Sequence, residues 1–467
     1  MPSATDKLYL ALDQGGSQSR ALVIDGRGQI IAHAAQAVAT RRPQPGWVEQ
    51  SPQALLGSLR AAAEQAVDQL ATTQRRQLIS CGLACQRSSL LAWNHHAGAA
   101  LTPLISWQDT RGAALMPGDP AAFATLHQIS GLYPSAHHGA SKFAWLLQHV
   151  PAVREAAAEQ RLGLLPLASF LAQALFGRHA IDPANAQRTL LWDYQRGDWS
   201  PELLALFAVD RTWLPPLLPS RADWGQLSVA DLNLPCRLLA GDQSVAPLAA
   251  GMPADGQVQI NLGTGAFLCT PDHHYPSARL LHSVAYSDGE QGLAWLEGTV
   301  NGAGAALQWL EQAGDALPAQ SGRPEAGAIF LNAVGGLGSP FWRSDLHSRF
   351  LDTPGPQRSV AVRESILFLL QENLREMAAA GVPLHRLRLS GGLSQTPGMA
   401  QQLANLSALP VELLAEPEAT ARGLAWVLAD GPSQWHSAPP RHYSPAPDPA
   451  LQHRYRAWQQ AMARWLA

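Results

Sequence analysis

Residues 238–267 read LLAGDQSVAPLAAGMPADGQVQINLGTGAF, and this stretch joins two strand-like segments, an acidic residue and a glycine-rich turn. Residues 238–240 have the pattern of a buried strand end, after which Asp242 opens an apolar helix. Residues 258–262 alternate like a strand, and Gly-Thr-Gly at 263–265 can turn tightly and bring backbone N–H groups close to an anion. A proton acceptor near a phosphate-binding turn is the combination that phosphoryl transfer needs from a protein.

Each half of this stretch also has an ordinary structural explanation. The Asp242 side chain can simply cap a helix, and an isolated Gly-Thr-Gly is more often a hairpin turn than a phosphate site. The rest of the chain therefore has to decide between the two explanations.

Length and composition limit the class of protein. The chain of 467 residues is too long for one ordinary core, and 46% hydrophobic with 15% charged residues is typical of globular domains. The net charge of -3 gives no electrostatic reason to expect nucleic acid or an acidic membrane surface as a partner. No apolar run approaches the ~20 residues of a membrane span, so we expect a soluble, cytoplasmic protein.

The cysteines and histidines do not indicate a metal site. Histidine pairs at 95–96, 137–138 and 273–274 lie in polar turns without a carboxylate at ligand spacing. Four cysteines lie on apolar, strand-like segments without CxxC spacing, and we expect them to be reduced core residues: Cys81, Cys85, Cys236 and Cys269.

A second glycine-rich turn lies near the start of the chain. Residues 8–12 and 20–24 read as strands, and DQGGSQS at 13–19 joins them in a turn that looks too long for simple hairpin closure. Gly16 and Ser17 offer N–H groups to phosphate oxygens. Asp13 could hold a Mg²⁺ ion through water, and Arg20 could add positive charge. Taken alone, a surface loop with a solvated aspartate is the more common case.

One such strand, glycine turn and strand in each half of the chain suggests a duplicated architecture that closes on one nucleotide. This is the pattern of the actin-like ATPase (ribonuclease H-like) fold, an α/β fold with two domains and a catalytic cleft between them. We predict an N-terminal domain over 1–243 and a C-terminal domain over 244–467. The latter includes a proline-rich segment at 431–449 and a terminal helix at 450–467.

Several other segments carry weaker predictions. Ser51 and Pro52 suit the start of a helix that runs to about residue 71. Residues 162–176 read as one buried helix, and 182–193 as a polar turn into a strand. The apolar stripe of the terminal helix should pack on the body of the protein, with a contact in a homodimer as the alternative.

Polar and small residues at other element ends extend the candidate site. Arg87 and Ser88 follow a buried strand at 78–84, where open α/β sheets place their ligands. Trp107 could be an apolar wall or simply a core residue. Small residues at the start of a helix near Gly304 allow close approach of a flat ligand or of another backbone, and a third glycine turn at 390–395 could face the base or ribose of a nucleotide.

The ordered set of motifs resembles the FGGY carbohydrate kinase family, which includes glycerol kinases and xylulokinases, over nearly the whole chain. The motifs are DQGGSQSR at 13–20, PGWVEQ at 45–50, QR at 86–87, SWQDTR at 106–111, KFAW at 142–145, NAQRT at 185–189, GDQ at 241–243, GTGAF at 263–267, LEG at 296–298, AGAALQW at 303–309, GLGSPFW at 336–342, SGG at 390–392 and EATARGLAW at 418–426.

This resemblance implies an ATP-dependent kinase that uses Mg²⁺ and transfers the γ-phosphoryl group to a hydroxyl of a small polyol or ketose. Asp242 matches the general base of the family, and Asp13 matches the carboxylate associated with Mg²⁺. Positions that match contacts to ATP are Gly16, Ser17, Arg20, Thr264, Gly304, Gln308 and Gly392. Positions that match contacts to the substrate in glycerol kinases are Arg87, Trp107, Gln243 and Phe267.

Three positions depart from the glycerol kinase pattern. Ser88 stands where glycerol kinases have Glu, and His137 stands where they have Tyr. A site that hydrogen-bonds a hydroxyl discriminates sharply, so these two changes can retarget it to another polyol or ketose. Gly16 replaces the usual Thr of the first phosphate loop but keeps its N–H, so we expect ATP binding to survive.

Two other classes of function compete with a kinase. One is a catalytically weak sugar-binding or regulatory protein that retains the fold, which Ser88 and His137 favour slightly and the intact Asp13 and Asp242 oppose. The other is a chaperone-like or actin-like ATPase with a protein partner, which has no evident need for the GDQ and QR motifs.

Overall fold

The structure is a computed structural model that describes residues 7–312, 328–343, 345–351, 357–415 and 418–467. The chain forms two compact units. The first unit comprises Met1–Met252, His282–Ala294 and Glu418–Ser437, and the second comprises Pro253–Leu281, Trp295–Pro417 and Ala438–Ala467. The predicted domain boundary at 243/244 stays a prediction; the first unit also takes in two segments from the C-terminal half.

The first unit contains most of the strands. They are β1 Leu8–Gln14, β2 Gln18–Asp25, β3 Ile30–Ala37, β4 Glu49–Gln50, β5 Leu78–Cys85, β6 Leu90–Asn94, β7 Ala99–Ala100, β8 Leu104–Ile105, β9 Leu162–Pro166, β10 Trp192–Asp193, β11 Asp198–Trp199, β12 Gln226–Val229 and β13 Leu232–Gly241. Its main sheet has the order β12-β13-β5-β1-β2-β3. Strands β1, β5 and β13 run parallel, and every residue of β1 is buried, as expected for a central strand covered on both faces.

Ten helices accompany these strands among the described residues. They are α1 Pro52–Asp68, α2 Thr72–Arg75, α3 Pro120–Ser130, α4 Gly139–His149, α5 Pro151–Ala158, α6 Leu167–Phe176, α7 Pro183–Gln187, α8 Pro201–Leu206, α9 Asp242–Val245 and, from the C-terminal half, α13 Ala419–Leu428. Helix α1 begins where predicted, because the Ser51 side chain accepts a hydrogen bond from the Ala54 N–H and Pro52 is its first residue.

The first hairpin is tighter than the sequence predicts. Strand β1 continues through Gln14, which pairs with Ser19 of β2, and the Gly15 N–H donates to the Gln18 carbonyl at 2.9 Å. The prediction of a long open turn at 13–19 is therefore wrong, since the strands extend into it. Asp13 lies on a buried strand and is not the solvated aspartate of a surface loop.

Two predicted elements in the first unit are right only in part: the buried helix α6 and the strand β10 are present, but each follows an element that was not predicted. Residues 162–176 form strand β9 followed by helix α6, and Pro166 marks the change because proline has no N–H to continue a helix. Residues 182–193 contain the short helix α7, which Asp182 caps by accepting a hydrogen bond from the Asn185 N–H at 3.3 Å.

The second unit is built on another mixed sheet. Its strands are β14 Gln257–Leu262, β15 Ala266–Pro271, β18 Ile329–Leu331, β19 Arg349–Leu351, β20 Arg386–Ser390, β21 Val411–Leu413 and β22 Arg441–Tyr443. Two further strands, β16 Leu281–Ser287 and β17 Gly292–Val300, each begin in a segment of one unit and end in a segment of the other. Strands β14, β20 and β21 run parallel. The helices are α10 Gly304–Gln312, α11 Arg358–Ala379, α12 Met399–Ser407 and α14 Pro449–Leu466.

The terminal helix α14 packs on its own unit, as predicted. The Arg454 guanidinium donates two hydrogen bonds, of 2.9 and 2.6 Å, to the Glu364 carboxylate of α11, and Trp458 Nε1 donates to the Phe330 carbonyl at 3.1 Å. Leu451 and Met462 are buried in the core with residues of α11. The apolar stripe is thus used within the unit.

Two general predictions concern the whole described chain. All four cysteines are free and buried, as expected. Within the described ranges, every helix is too short or too polar to span a bilayer.

Removing the Arg454 guanidinium should destabilise the second unit strongly. We expect Arg454→Ala to lower its free energy of unfolding by about 3–5 kcal/mol, because Glu364 stays buried without its partner. Urea unfolding measures this loss. The control is Arg211→Ala, which removes an exposed ion pair with Asp198 and should cost less than about 1 kcal/mol. Equal losses in both variants would contradict the role assigned to the buried pair.

Candidate active site

Three parallel strands of the first unit bring the predicted catalytic residues to one edge of the sheet. In the strand register, Cys85 of β5 lies opposite both Gln14 of β1 and Gly241 of β13. Asp13 is next to the last residue of β1, and Asp242 directly follows β13. The carboxyl ends of parallel strands are where open α/β sheets bind ligands.

The Asp13 carboxylate is buried against one guanidinium. Arg20 Nη1 donates to Asp13 Oδ2 at 3.2 Å, and Arg20 Nε lies 3.6 Å from the Glu418 carboxylate. Burial and, to a smaller extent, the negative charge of Asp242 raise the pKa of Asp13, and Arg20 lowers it; the net result is a pKa of about 7. The two aspartates are therefore coupled electrostatically.

The Asp242 carboxylate is oriented by its neighbours but is still accessible. Its Oδ1 accepts a hydrogen bond from the Gln243 N–H at 2.7 Å and lies 3.9 Å from Arg87 Nε, while 21% of the side chain is exposed. Burial raises the pKa of Asp242, and the charge of Arg87 and a smaller effect of Arg188 lower it. A Cβ at Gly241 would lie 2.6 Å from Arg87 Cδ, so the absence of a side chain there lets Arg87 approach.

Gly16 of the first hairpin is held by a chain of amide side chains. Gln50 Nε2 donates to the Gly16 carbonyl at 2.7 Å, and Gln86 Nε2 donates to Gln50 Oε1 at 2.8 Å. A Cβ at Gly16 would lie 3.2 Å from Gln86 Oε1, so this position has little room for a larger residue. Ser17 is exposed at the tip of the turn.

Ser88, Trp107 and His137 lie close together in the first unit. His137 Nδ1 lies 3.2 Å from the Trp107 carbonyl, and the two rings are 6.4 Å apart. Burial lowers the pKa of His137, so the ring is neutral at neutral pH. Because a carbonyl can only accept, Nδ1 carries the proton and Nε2 is an acceptor. Trp107 is 38% exposed, which favours its role as an apolar wall of the candidate site over that of a core residue.

The Ser88 hydroxyl faces a second histidine. It lies 3.5 Å from His138 Nδ1 and 3.4 Å from the Arg188 carbonyl, and both distances are long for a hydrogen bond, so the hydroxyl can reorient. The backbone of Ser88 has φ of 64°, a left-handed conformation that is uncommon outside glycine. Burial and the charge of Arg188 lower the pKa of His138 well below its usual value.

The sequence motifs contained two further residues at this site whose roles were not foreseen. The Arg188 guanidinium donates to Ser283 Oγ at 2.8 Å and acts electrostatically on Asp242. Lys142 is fully buried, and its three N–H donors are shared among four backbone carbonyls, those of Ser88 (3.2 Å from Nζ), Ser106 (2.9 Å), Trp107 (3.3 Å) and His137 (2.7 Å). The one sequence feature that could have pointed to Lys142 is the scarcity of lysine, since the chain has only Lys7 and Lys142.

Three motifs near this site form one structural cluster. The Arg111 guanidinium donates to both carboxylate oxygens of Asp109 and to Glu49 Oε1, and it lies 3.9 Å from the Trp47 ring centroid and 5.1 Å from that of Trp145. The Asp109 carboxylate also accepts from the Val48 N–H. PGWVEQ, SWQDTR and KFAW thus hold the segment that carries Trp107.

In the second unit, the turn at 263–265 joins β14 to β15 and supports the start of helix α10. The Gly304 N–H donates to the Gly263 carbonyl at 2.9 Å, and the Ala305 N–H donates to the Thr264 carbonyl at 2.8 Å. A Cβ at Gly304 would lie 2.7 Å from the Gly263 oxygen, so glycine is required at this contact. The side chains of Thr264 and Gln308 are exposed.

The third glycine turn lies next to the end of β14. Strand β20 runs parallel to β14, and the following Gly391 has φ of 89°, with no room for a Cβ beside Asn261 and Leu262. A Cβ at Gly392 would meet no atom within 4 Å. Phe267 is half-buried on β15, where it pairs with Asn261 and Thr299. The glycine turns of this unit therefore meet at the carboxyl ends of parallel strands.

The donor set for a metal ion is sparse. Among the residues that the structure describes, no group of three or more His, Cys, Asp or Glu side chains could hold one. Mg²⁺ usually keeps several waters and takes one or two carboxylates together with substrate phosphates. A single carboxylate at Asp13 fits Mg²⁺ bound in this way and does not fit a zinc site.

The fold and these carboxylates define a class, a two-unit α/β phosphotransferase, and the comparisons with known proteins agree. The model of the FGGY family of carbohydrate kinases matches residues 8–234 with its N-terminal domain and 258–429 with its C-terminal domain. A glycerol kinase of Thermus brockianus is 32% identical over 491 residues, which cover 98% of each chain.

Two solved structures share the fold. A glycerol kinase of Plasmodium falciparum with ADP has a TM-score of 0.85 at 22% identity and covers 99% of this chain and 98% of its own. A xylulose kinase of Rhodospirillum rubrum has a TM-score of 0.83 at 20% identity and covers 98% of this chain and 99% of its own.

The chain belongs to the FGGY family of carbohydrate kinases. It is an ATP-dependent phosphotransferase whose acceptor is an alcohol group of a small sugar or polyol, and the predicted fold class is confirmed.

The buried Asp13 carboxylate should make stability depend on pH. Its folded pKa of about 7 is above the ordinary 3.8, so between these values the folded state holds a proton that the unfolded state releases. Stability therefore falls as pH rises through this range. Asp13→Asn, which cannot ionise, should lose less stability than the natural protein between about pH 5 and about pH 8. Thermal unfolding in EDTA measures this, and identical pH profiles would contradict it.

Proposed function

We propose that Asp242 is the general base of a kinase for a glycerol-like polyol or a xylulose- or ribulose-like ketose. The observation that carries the proposal is the position of this carboxylate, partly exposed at the strand ends beside Arg87. A carboxylate in contact with the acceptor hydroxyl would take its proton as the oxygen attacks the γ-phosphorus of ATP.

The electrostatics of Asp242 suit a base that works near neutral pH. A general base is most effective when its pKa approaches the operating pH, and burial raises the pKa of Asp242 toward that range. The charges of Arg87 and Arg188 lower the pKa and so limit this rise. The neighbouring Gln243 N–H fixes the orientation of its Oδ1.

The acceptor would be bound by polar groups around an aromatic wall. In this proposal Arg87 and Gln243 bind hydroxyl oxygens, Trp107 and Phe267 contact the carbon chain, and the exposed part of Trp107 supports this role. His137 Nε2 is an acceptor for one more hydroxyl, since Nδ1 faces the Trp107 carbonyl.

The acceptor site lacks the carboxylate that glycerol kinases carry at position 88. Ser88 offers a small hydroxyl with only long contacts to its neighbours, so it can donate to or accept from a substrate. The relative from Thermus brockianus is named a glycerol kinase, and one structural neighbour is a xylulose kinase. We therefore propose both a small polyol and a ketose as acceptors to be tested.

The glycine turns would bind ATP. Gly16 and Ser17, at the tip of the first hairpin, and the nearby Arg20 are proposed to contact phosphate oxygens. Mg²⁺, held through water by Asp13, would neutralise charge on the transferred phosphoryl group. Residues proposed to bind the nucleotide in the second unit are Thr264, Gly304, Gln308 and Gly392, and the hydrogen bond from the Gly304 N–H to the Gly263 carbonyl, next to the end of β14, supports this.

The proposal also includes the location of the protein and its oligomeric state. A cytoplasmic location agrees with the helices of the described chain, each too short or too polar to span a bilayer. Homodimerisation would need a surface other than the apolar stripe of α14, because that stripe is buried in its own unit.

Asp242→Asn should remove turnover while ATP still binds. A screen of ATP consumption over glycerol, erythritol, xylulose and ribulose first identifies the acceptor. We then expect kcat to fall by roughly 10³-fold, because an amide cannot take the proton of the hydroxyl. Calorimetric titration with ATP should give an unchanged Kd. Asp210→Asn, the same change at an exposed turn of the first unit, should leave kcat unaltered. Full activity of Asp242→Asn would refute the proposed base.

Gly304→Ala should weaken ATP binding by steric pressure on the turn at 263–265. The added Cβ would lie 2.7 Å from the Gly263 oxygen. We expect about a tenfold rise in the Kd of ATP, equivalent to ~1.4 kcal/mol, together with a lower Tm. Gly392→Ala is the steric control. Its added Cβ would meet no atom within 4 Å, so this variant should leave Tm unchanged. Unaltered ATP binding in Gly304→Ala would argue against a nucleotide site at this turn.

A further inference from the structure

Lys142 is unusual because a lysine side chain is rarely fully buried. Its side chain has no exposed surface, and its Nζ lies within hydrogen-bond distance of four backbone carbonyls, which share its three N–H donors. Burial lowers the pKa of Lys142 to about 7, and an apolar residue of similar length would fill the same space without the cost of burying an amino group. A role in fixing the backbone accounts for a hydrogen-bond donor at this position.

The four carbonyls belong to three separate segments of the chain. Ser88 follows β5, Ser106 and Trp107 follow β8, and His137 precedes α4, the helix that carries Lys142 itself. Three of these residues are the ones proposed to contact the acceptor. The ammonium therefore joins, at one point, all the segments of the first unit that carry Ser88, Trp107 and His137.

The hydrogen bonds of Lys142 also influence the side-chain geometry of His137 and the backbone of Ser88. The Trp107 carbonyl receives hydrogen bonds from both Lys142 Nζ (3.3 Å) and His137 Nδ1 (3.2 Å), so the ammonium fixes the group that sets the His137 ring and its tautomer. The Ser88 carbonyl is held while Ser88 is in a left-handed conformation, which the surrounding structure must maintain.

We propose that Lys142 is a positioning residue of the acceptor site, which holds Ser88, Trp107 and His137 in the geometry that binds the alcohol substrate. This inference rests on the proposed roles of those three residues. It assigns Lys142 no contact with the substrate and no part in proton transfer.

The test replaces Lys142 with Met, which keeps the length of the side chain and removes every donor. We expect kcat/KM for the acceptor to fall by about 100-fold, mainly through KM, because a misplacement of about 1 Å has effects of this size. The Kd of ATP should be unchanged. Amide hydrogen exchange should rise at residues 86–89, 104–110 and 135–138.

The matched control is Leu146→Ala, one turn further along α4 and equally buried. It should lower Tm to a similar extent but leave the acceptor KM and the exchange of the three segments unchanged. Lys142→Gln, which restores two donors, should recover part of the acceptor affinity. If Lys142→Met does not fold, the acceptor KM of Lys142→Gln is compared with that of Leu146→Ala instead. A wild-type acceptor KM in the folded Lys142 variants, or the same rise in KM in Leu146→Ala, would overturn the inference.

The outcome can be separated from a failure of the proposed function. If Lys142→Met has a normal acceptor KM while Asp242→Asn is inactive, only the positioning role is wrong. If Ser88→Ala and His137→Ala leave the acceptor KM unchanged, those residues do not bind the acceptor, and the proposed site itself is wrong.

Discussion

The parallel alignment of β1, β5 and β13 is the constraint on which the site depends. Because these strands end at one edge of the sheet, Asp13 and Asp242 are brought close enough to raise each other's energy, as the effect of Asp242 on the pKa of Asp13 shows. Arg20 and Arg87 offset part of this repulsion. The unit thus holds the buried acid Asp13 beside the partly exposed Asp242, where apolar side chains would be more stable, and this cost is typical of catalytic sites.

Much of the fold follows from local patterns in the sequence. The strands of the first hairpin and helix α1 with its Ser51 cap agree with the predictions to within a few residues. One error occurred where an apolar run shows neither the helical nor the strand period. Residues 162–172 are all buried, so only Pro166 could have revealed the strand that precedes the helix.

The candidate site could be predicted only in part. Asp13 and Asp242 could be predicted because each is an acid at a strand end within two residues of a glycine, which is a local signal. The contacts of Lys142 could not be predicted, because they are made to backbone carbonyls of three distant segments. Every residue has such a carbonyl, so the sequence does not show which ones are contacted. The role of Arg188 likewise arises from packing, which places its charge where it acts on Asp242. Long-range contacts of this kind appear only in the folded chain.

The most direct test of the account is a crystal structure of the protein with ADP, Mg²⁺ and the acceptor identified by the screen. The account predicts a substrate hydroxyl oxygen within about 2.6–3.2 Å of the Asp242 carboxylate, with the sugar or polyol against Trp107. An acceptor bound elsewhere, or an Asp242 carboxylate that contacts only protein groups in that complex, would contradict it.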